Sequence, residues 1–129
     1  MQFEEHTSSG SWVIHSYQTG KLEINGNTHT QAICLLDHEC LPCPETTAQS
    51  LTADSFLPLF ATHTAPEVIL VGTGEKQYFL HPKIVATLAA QGVGLESMNT
   101  ASACRTLMIL QSERRRVWAW LFPSAQQWL

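Results

Sequence analysis

The order of apolar and helix-forming segments in the second half of the sequence limits the fold more than any other feature. Residues 68–71, Val-Ile-Leu-Val, form a continuous apolar run typical of a strand covered on both faces. The segments that follow alternate in type: a helix over 82–91, a strand over 93–98, a helix from Asn99 or Thr100 to about Ser112, and a strand over 117–122. This order predicts a layered α/β domain.

In the first third of the chain, the sequence pattern has a period close to two, which is typical of β-strands. Asn25-Gly26-Asn27 is a strong hairpin signal, because Asn-Gly suits the positive φ angles of a type I′ turn. It predicts that Leu22–Ile24 pairs with one strand over Thr28–Leu36. Residues 37–52 lack apolar periodicity and are predicted to be an exposed connection. Thr52 is predicted to cap a short helix that ends at Phe60.

Length and charge exclude several classes of protein. The 129 residues predict one domain, spanning 1–129. A net charge of −4 argues against a nucleic-acid binder, which needs an excess of cations. No apolar run is long enough to span a membrane. The acidic start at residues 1–6 does not look like a secretory signal, and we expect a cytoplasmic protein with reduced thiols.

Two segments that follow strands are candidates for a ligand site. The Gly72-Thr73-Gly74 loop has few side chains to block its backbone amides, but it lacks the third glycine of a dinucleotide fingerprint. The helix start at 99–105 offers further free amides, and Cys104 there is also a candidate thiol. Both segments can equally be structural: a tight turn and a closely packed helix. The candidate ligand-binding residues are Gly72, Thr73, Gly74, Asn99, Thr100, Ser102, Cys104 and Arg105.

Cys40 and Cys43 have the two-residue spacing of zinc and thiol–redox sites. A zinc ribbon needs a second pair, and Cys34, His38 and His63 would complete only an irregular site. We favour a loop with incidental thiols, and predict no metal and no cofactor.

Arg114-Arg115-Arg116 is the only run of basic residues, and Trp118 and Trp120 follow it on one face of the last strand. Arginine and tryptophan are favoured at protein interfaces. These five residues are therefore the candidate partner-binding surface, provided that no helix covers the tryptophans. The alternative is that the arginines form a solvated junction between helix and strand.

Five segments in order carry a family resemblance: 66–74 (PEVILVGTG), 79–82 (FLHP), 92–100 (GVGLESMNT), 103–106 (ACRT) and 113–117 (ERRRV). Together they resemble the domain-of-unknown-function family 498, which includes small bacterial and archaeal proteins, a mitochondrial complex I assembly factor and an adipogenesis-associated protein. The resemblance implies a single three-layer α/β domain with a mixed central sheet, flanking helices and an additional N-terminal β-hairpin. It supplies no catalytic residues.

The sequence departs from the family pattern at two places. Asn99 stands where the family usually has Asp, and Leu107-Met108 stand where an aromatic residue and Asn are usual. Both changes weaken a catalytic interpretation that depends on a carboxylate or an amide at these positions.

We therefore predict a non-enzymatic accessory or assembly factor that binds a protein partner, similar to a complex I assembly factor by analogy. A homo-oligomer is compatible with the sequence. The alternative is a small-molecule or anion-binding protein, or an enzyme, with its site between the Gly72–Gly74 loop and the Asn99–Arg105 helix start. This alternative requires those residues to line one pocket.

Overall fold

Residues 12–124 contain eight strands, two α-helices and three short 3₁₀ helices. The structure, a computed structural model, describes residues 12–124. The strands are β1 (Ile14–Gln18), β2 (Lys21–Ile24), β3 (Asn27–His29), β4 (Ile33–Leu35), β5 (Cys40–Pro42), β6 (Val68–Gly72), β7 (Gly94–Met98) and β8 (Val117–Leu121); the α-helices are α1 (Pro82–Ala89) and α2 (Thr100–Ser112). The 3₁₀ helices are Ala48–Ser50, Ala53–Ser55 and Leu57–Ala61.

Five strands form a mixed central sheet in the order β5-β4-β8-β6-β7. The pairs β6–β8 and β6–β7 are parallel, whereas β4–β8 and β4–β5 are antiparallel. The remaining strands form a separate antiparallel sheet in the order β1-β2-β3. The predicted α/β class, with a mixed sheet, flanking helices and an additional hairpin, is confirmed.

The central sheet is buried on both faces, as the apolar run at 68–71 predicts. Val68 and Leu70 face a cluster that includes Leu107 of α2 and Leu22 of the small sheet. The alternate residues of β6 face a second cluster, which includes Leu88 of α1 and Phe56, the residue between the two 3₁₀ helices of residues 53–61 (the 3₁₀ segment). Period-two alternation along β6 thus divides the core into two halves and gives three layers.

The predicted turn and helix start are both observed. Asn25 and Gly26 have φ angles of 49° and 85°, as a type I′ turn requires. Asn99 caps α2, and its Oδ1 accepts a hydrogen bond from the Ser102 amide at 2.8 Å.

Two predictions about the first half were wrong, and a third was right only in part. Thr28–Leu36 is two strands in different sheets, since β3 pairs with β2 whereas β4 pairs with β8. The segment predicted as a connection contains β5, which pairs with β4. Thr52 does form a capping box with Ser55, but the helix is 3₁₀ and restarts at Leu57, with proline at its start.

The domain prediction includes residues 1–11 and 125–129, and the prediction about a secretory signal concerns residues 1–6; both fall wholly or partly outside the described residues. Among residues 12–124, neither α-helix combines the length and the apolar character that crossing a bilayer requires.

Candidate functional site

A groove of about 580 Å³ lies where α2 ends and β8 begins. Its lining is mostly polar and includes all three arginines of the basic run. The lining residues are Trp12, Leu36, Asp37, His38, Gln111, Ser112, Arg114, Arg115, Arg116 and Val117.

Trp12 is fixed at one wall of the groove by hydrogen bonds of its backbone and of its indole ring. Its backbone N–H donates to Gln111 Oε1 at 2.8 Å, and its carbonyl accepts from Gln111 Nε2 at 3.0 Å. Its indole Nε1 donates to the Leu36 carbonyl at 2.9 Å. The half-buried ring is therefore held in place before anything binds in the groove.

The side chain of Arg116 is held by hydrogen bonds to other parts of the protein. Its guanidinium donates to Asp37 Oδ2, to the Ala65 carbonyl and to the Thr64 carbonyl at 2.8 Å. The other oxygen of Asp37 accepts from the Trp118 indole at 3.2 Å. This planar, multiply bonded arginine ties the start of β8 to two loops.

Arg115 and Arg114 are exposed and differ in their contacts. Arg115 Nε donates to Glu67 Oε1 at 2.9 Å in a solvent-exposed ion pair, which holds the side chain only weakly. Within residues 12–124, the guanidinium of Arg114 has no hydrogen-bond or ion-pair partner. Among the arginines of this groove, Arg114 is thus the one with no partner in the described part of the chain and is available to another protein.

The backbone at Arg114 explains its position. Its φ is 62°, in the left-handed region where glycine is favoured. The Arg114 amide donates to the Gln111 carbonyl at 2.9 Å, and the Arg115 amide donates to the Leu110 carbonyl at 3.1 Å. These are the two bonds of a Schellman motif that ends α2, with arginine where glycine is usual.

Trp118 and Trp120 are not on the surface, which corrects their prediction as partner-binding residues. Their exposed fractions are 0% and 1%. The Phe56 ring lies 4.9 Å from that of Trp120, and the Phe60 ring lies 5.8 Å from that of Trp118. The 3₁₀ segment, rather than an α-helix, covers this face of β8.

The two candidate ligand segments lie side by side, but their polar groups form hydrogen bonds with each other. The Thr100 amide donates to the Gly74 carbonyl at 2.8 Å, and Thr100 Oγ1 accepts from the Gly74 amide at 2.8 Å. The same hydroxyl donates to the Phe122 carbonyl at 2.6 Å. The Thr73 amide donates to the Met98 carbonyl at 2.9 Å. The loop amides therefore do not point at a vacant anion site.

Close packing explains the first glycine of the loop. A Cβ on Gly72 would lie 2.9 Å from the Thr100 Cα, so only glycine lets β6 end against the start of α2. This observation supports the structural alternative for the loop.

The remaining candidate ligand residues divide by exposure. Cys104 is buried, and burial raises its pKa to about 11, against a smaller lowering by Arg105. Its thiol is thus protonated at neutral pH and is a poor nucleophile. Asn99 and Ser102 are half-buried; Arg105 is exposed and its Nη2 donates to Ser102 Oγ at 3.1 Å.

The cysteine spacing does not form a metal site in the described part of the chain. Cys40 and Cys43 are three residues apart along β5 and its extension, so their side chains leave on opposite faces. Within residues 12–124, no group of three or more His, Cys, Asp or Glu residues is placed to hold a metal ion.

Sequence reasoning missed the residues that shape the groove around the arginines. Trp12, Asp37 and Gln111 are far apart in the chain and carry no motif. Their contacts depend on the pairing of β4 with β8, which puts Asp37 beside Arg116 across 79 positions. The one local signal was the run of three basic residues at 114–116.

A comparison with known families matches residues 14–122 to the family described as "Protein of unknown function (DUF498/DUF598)". The chain belongs to this family. The match includes the first hairpin, so the DUF498/DUF598 pattern extends well beyond the five segments that carry the resemblance in the sequence.

Relatives of this DUF498/DUF598 protein include the human protein named NADH dehydrogenase [ubiquinone] 1 alpha subcomplex assembly factor 3. It is 30% identical over 110 residues, which are 85% of this chain and 60% of the human protein. The chain thus spans about three-fifths of the length of that relative.

Solved structures show the same fold. A crystal structure of a Bordetella parapertussis protein is 37% identical, has a TM-score of 0.80, and the match covers 89% of this chain and 98% of that one. A solution structure of a Bordetella pertussis protein is 28% identical, has a TM-score of 0.75, and the match covers 98% of this chain and 94% of that one.

Proposed function

We propose that this DUF498/DUF598 protein is a non-enzymatic accessory factor that assists the assembly of an NADH dehydrogenase by binding one of its protein components. The observation that carries the proposal is the 30% identity to a protein named as such an assembly factor, over 85% of the chain. Fold alone would not support it, because one fold serves many functions.

The groove beside Arg114 is the surface that we assign to the partner. Arg114 extends a guanidinium that has no partner within residues 12–124, next to a fixed Trp12 ring and the weakly paired Arg115. An aromatic side chain beside arginines is a common composition for interface hot spots. The charge of the groove favours an acidic segment of the partner.

The left-handed backbone at Arg114 supports this assignment. A left-handed residue other than glycine costs about 1–2 kcal/mol. The protein is therefore less stable with arginine at this position than it would be with glycine. Residues in such conformations tend to cluster at functional sites.

Deletion of the gene tests the assembly role. We expect a strain without this protein to contain less assembled NADH dehydrogenase, measured by NADH-oxidation staining of native gels, and a copy of the wild-type gene to restore it. An unchanged amount of assembled complex in the deletion strain contradicts the proposed role.

Two charge-reversal variants in the deletion strain test the surface. We expect Arg114→Glu to restore the complex poorly, because it places an anion opposite the acidic partner. Lys83→Glu makes the same charge change on α1, outside the groove, and is expected to restore it fully. If Arg114→Glu restores as well as Lys83→Glu does, the assembly role stands but the groove is the wrong surface.

A further inference from the structure

The pairing of β4 with β5 brings together two cysteines that the sequence spacing does not. Cys34 lies opposite Leu41, and Cys43 follows two residues later, with its amide donating to the Ala32 carbonyl at 3.0 Å. Opposite residues and residues two apart share a sheet face, so Cys34 and Cys43 are diagonal neighbours on one face. Cys40, opposite Leu35, lies on the other face.

The two side chains are in contact in the core. Cys43 packs against the cluster to which Cys34 belongs. An interaction with the Cys43 side chain raises the pKa of the Cys34 thiol, and burial is the second cause of this increase. Both cysteines are reduced, so two free thiols lie side by side.

The two thiols differ in access. Cys34 is 4% exposed, whereas Cys43 is half-buried and lines two shallow grooves on either side of residues 30–32. Cys43 Sγ donates to Glu45 Oε1 at 3.4 Å, and Glu45 Oε2 accepts from Ser55 Oγ at 2.7 Å. An outer thiol that a small molecule can reach is thus held next to an inner thiol that it cannot reach.

We propose that Cys34 and Cys43 form a redox-active dithiol that reacts with low-molecular-weight disulfides. Cys43 loses its proton to solvent and attacks one sulfur of the small disulfide, which forms a mixed disulfide and releases one small thiolate. Cys34 then attacks Cys43 Sγ in the mixed disulfide and passes its proton to the departing small thiolate, which leaves as the second small thiol. The first thiolate takes up a proton from water. The protein dithiol is oxidised by two electrons to a disulfide, and the small disulfide is reduced to two thiols.

The edge position of β5 permits this bond. A disulfide needs α-carbons closer than about 7 Å, and diagonal neighbours are often slightly farther apart. β5 has three residues and, among the strands of residues 12–124, pairs only with β4, so the adjustment is confined to one short edge strand of the described sheet.

Oxidised glutathione is the probe that tests the proposal. The reduced 129-residue chain is incubated with oxidised glutathione, remaining thiols are blocked, and disulfide-linked peptides are identified by mass spectrometry. We expect a Cys34–Cys43 link in the wild type and equally in the control Cys40→Ser. Cys34→Ala is expected to stop at a glutathione adduct on Cys43, and Cys43→Ser to show neither product.

The wild-type result alone decides the outcome, whether or not the buried Cys34→Ala variant folds. A Cys40–Cys43 link, a wild-type product that stops at the glutathione adduct, or four free thiols would each overturn the proposal. The test is independent of the groove at Arg114.

Discussion

The Thr100 side chain joins the start of α2 to the ends of two strands of the central sheet. Its hydroxyl accepts a hydrogen bond from the amide after β6 and donates one to the carbonyl after β8, and the residue is fully buried. The sequence places Thr100 correctly at the start of a helix. It does not reveal that the hydroxyl serves two strand ends rather than a ligand, because that depends on sheet order.

We expect Thr100→Val to lower the free energy of unfolding by about 1–3 kcal/mol for each buried group that is left unpaired. Valine has nearly the same shape, so the loss reports the two hydrogen bonds. Urea denaturation followed by circular dichroism measures it. The control is Thr87→Val on α1, where only a bond to the exposed Lys83 carbonyl is lost and a change below about 0.5 kcal/mol is expected. Equal losses in the two variants would contradict this account.

At the scale of elements, the end of α2 combines structure and proposed function at Arg114. We expect Arg114→Gly to raise the free energy of unfolding by about 0.5–1 kcal/mol, because glycine adopts the left-handed C′ conformation without strain. Chemical denaturation measures the gain. Glu113→Gly, at the neighbouring residue, where φ is −90° and glycine has no conformational advantage, serves as the comparison and is expected to lose stability. A loss in Arg114→Gly would show that the side chain stabilises the fold.

The elements of the second half could be predicted from the sequence and most of those in the first half could not, for a physical reason. Each element from β6 onward is long enough to show its own period and has a start or stop signal, such as Pro82 or Asn99. β3, β4 and β5 have three residues each, too few to show alternation. Their assignment to two sheets depends on partners that are distant in the chain.

The candidate site shows the same division between local and distant information. The arginine run is visible in the sequence, but which arginine is free is not, because Arg116 is held by the distant Asp37. The burial of Trp118 is also not visible, because it follows from the 3₁₀ segment packed on its ring.

At the scale of the whole molecule, buried thiols make the fold sensitive to alkali. The pKa of Cys104 is raised from 9.0 to about 11 by burial, and that of Cys34 is raised as well. A raised pKa means that the folded state holds the proton more tightly than the unfolded state. The contribution to stability is complete below about pH 9 and is lost as the pH rises through about 11.

We therefore expect the free energy of unfolding to fall between about pH 8 and pH 11, and Cys104→Ala to show a smaller fall over that range. The Cys104 share is at most about 2–3 kcal/mol, from roughly 1.4 kcal/mol for each pKa unit. Urea midpoints at each pH measure both chains. Parallel curves for the wild type and Cys104→Ala would contradict the assignment to this thiol.

The central position of β8 has a consequence for how the chain reaches its native state. β8 is the last of the described strands, yet it lies between β4 and β6 and joins the two parts of the sheet. The pairing of Cys34 with Trp120 closes a very long loop, and such non-local contacts slow folding. During synthesis the earlier strands leave the ribosome with their central neighbour missing, so β4 and β6 expose unpaired edges until β8 emerges. Until β8 pairs with them, these edges can associate with other chains. The formation of this single strand covers both edges.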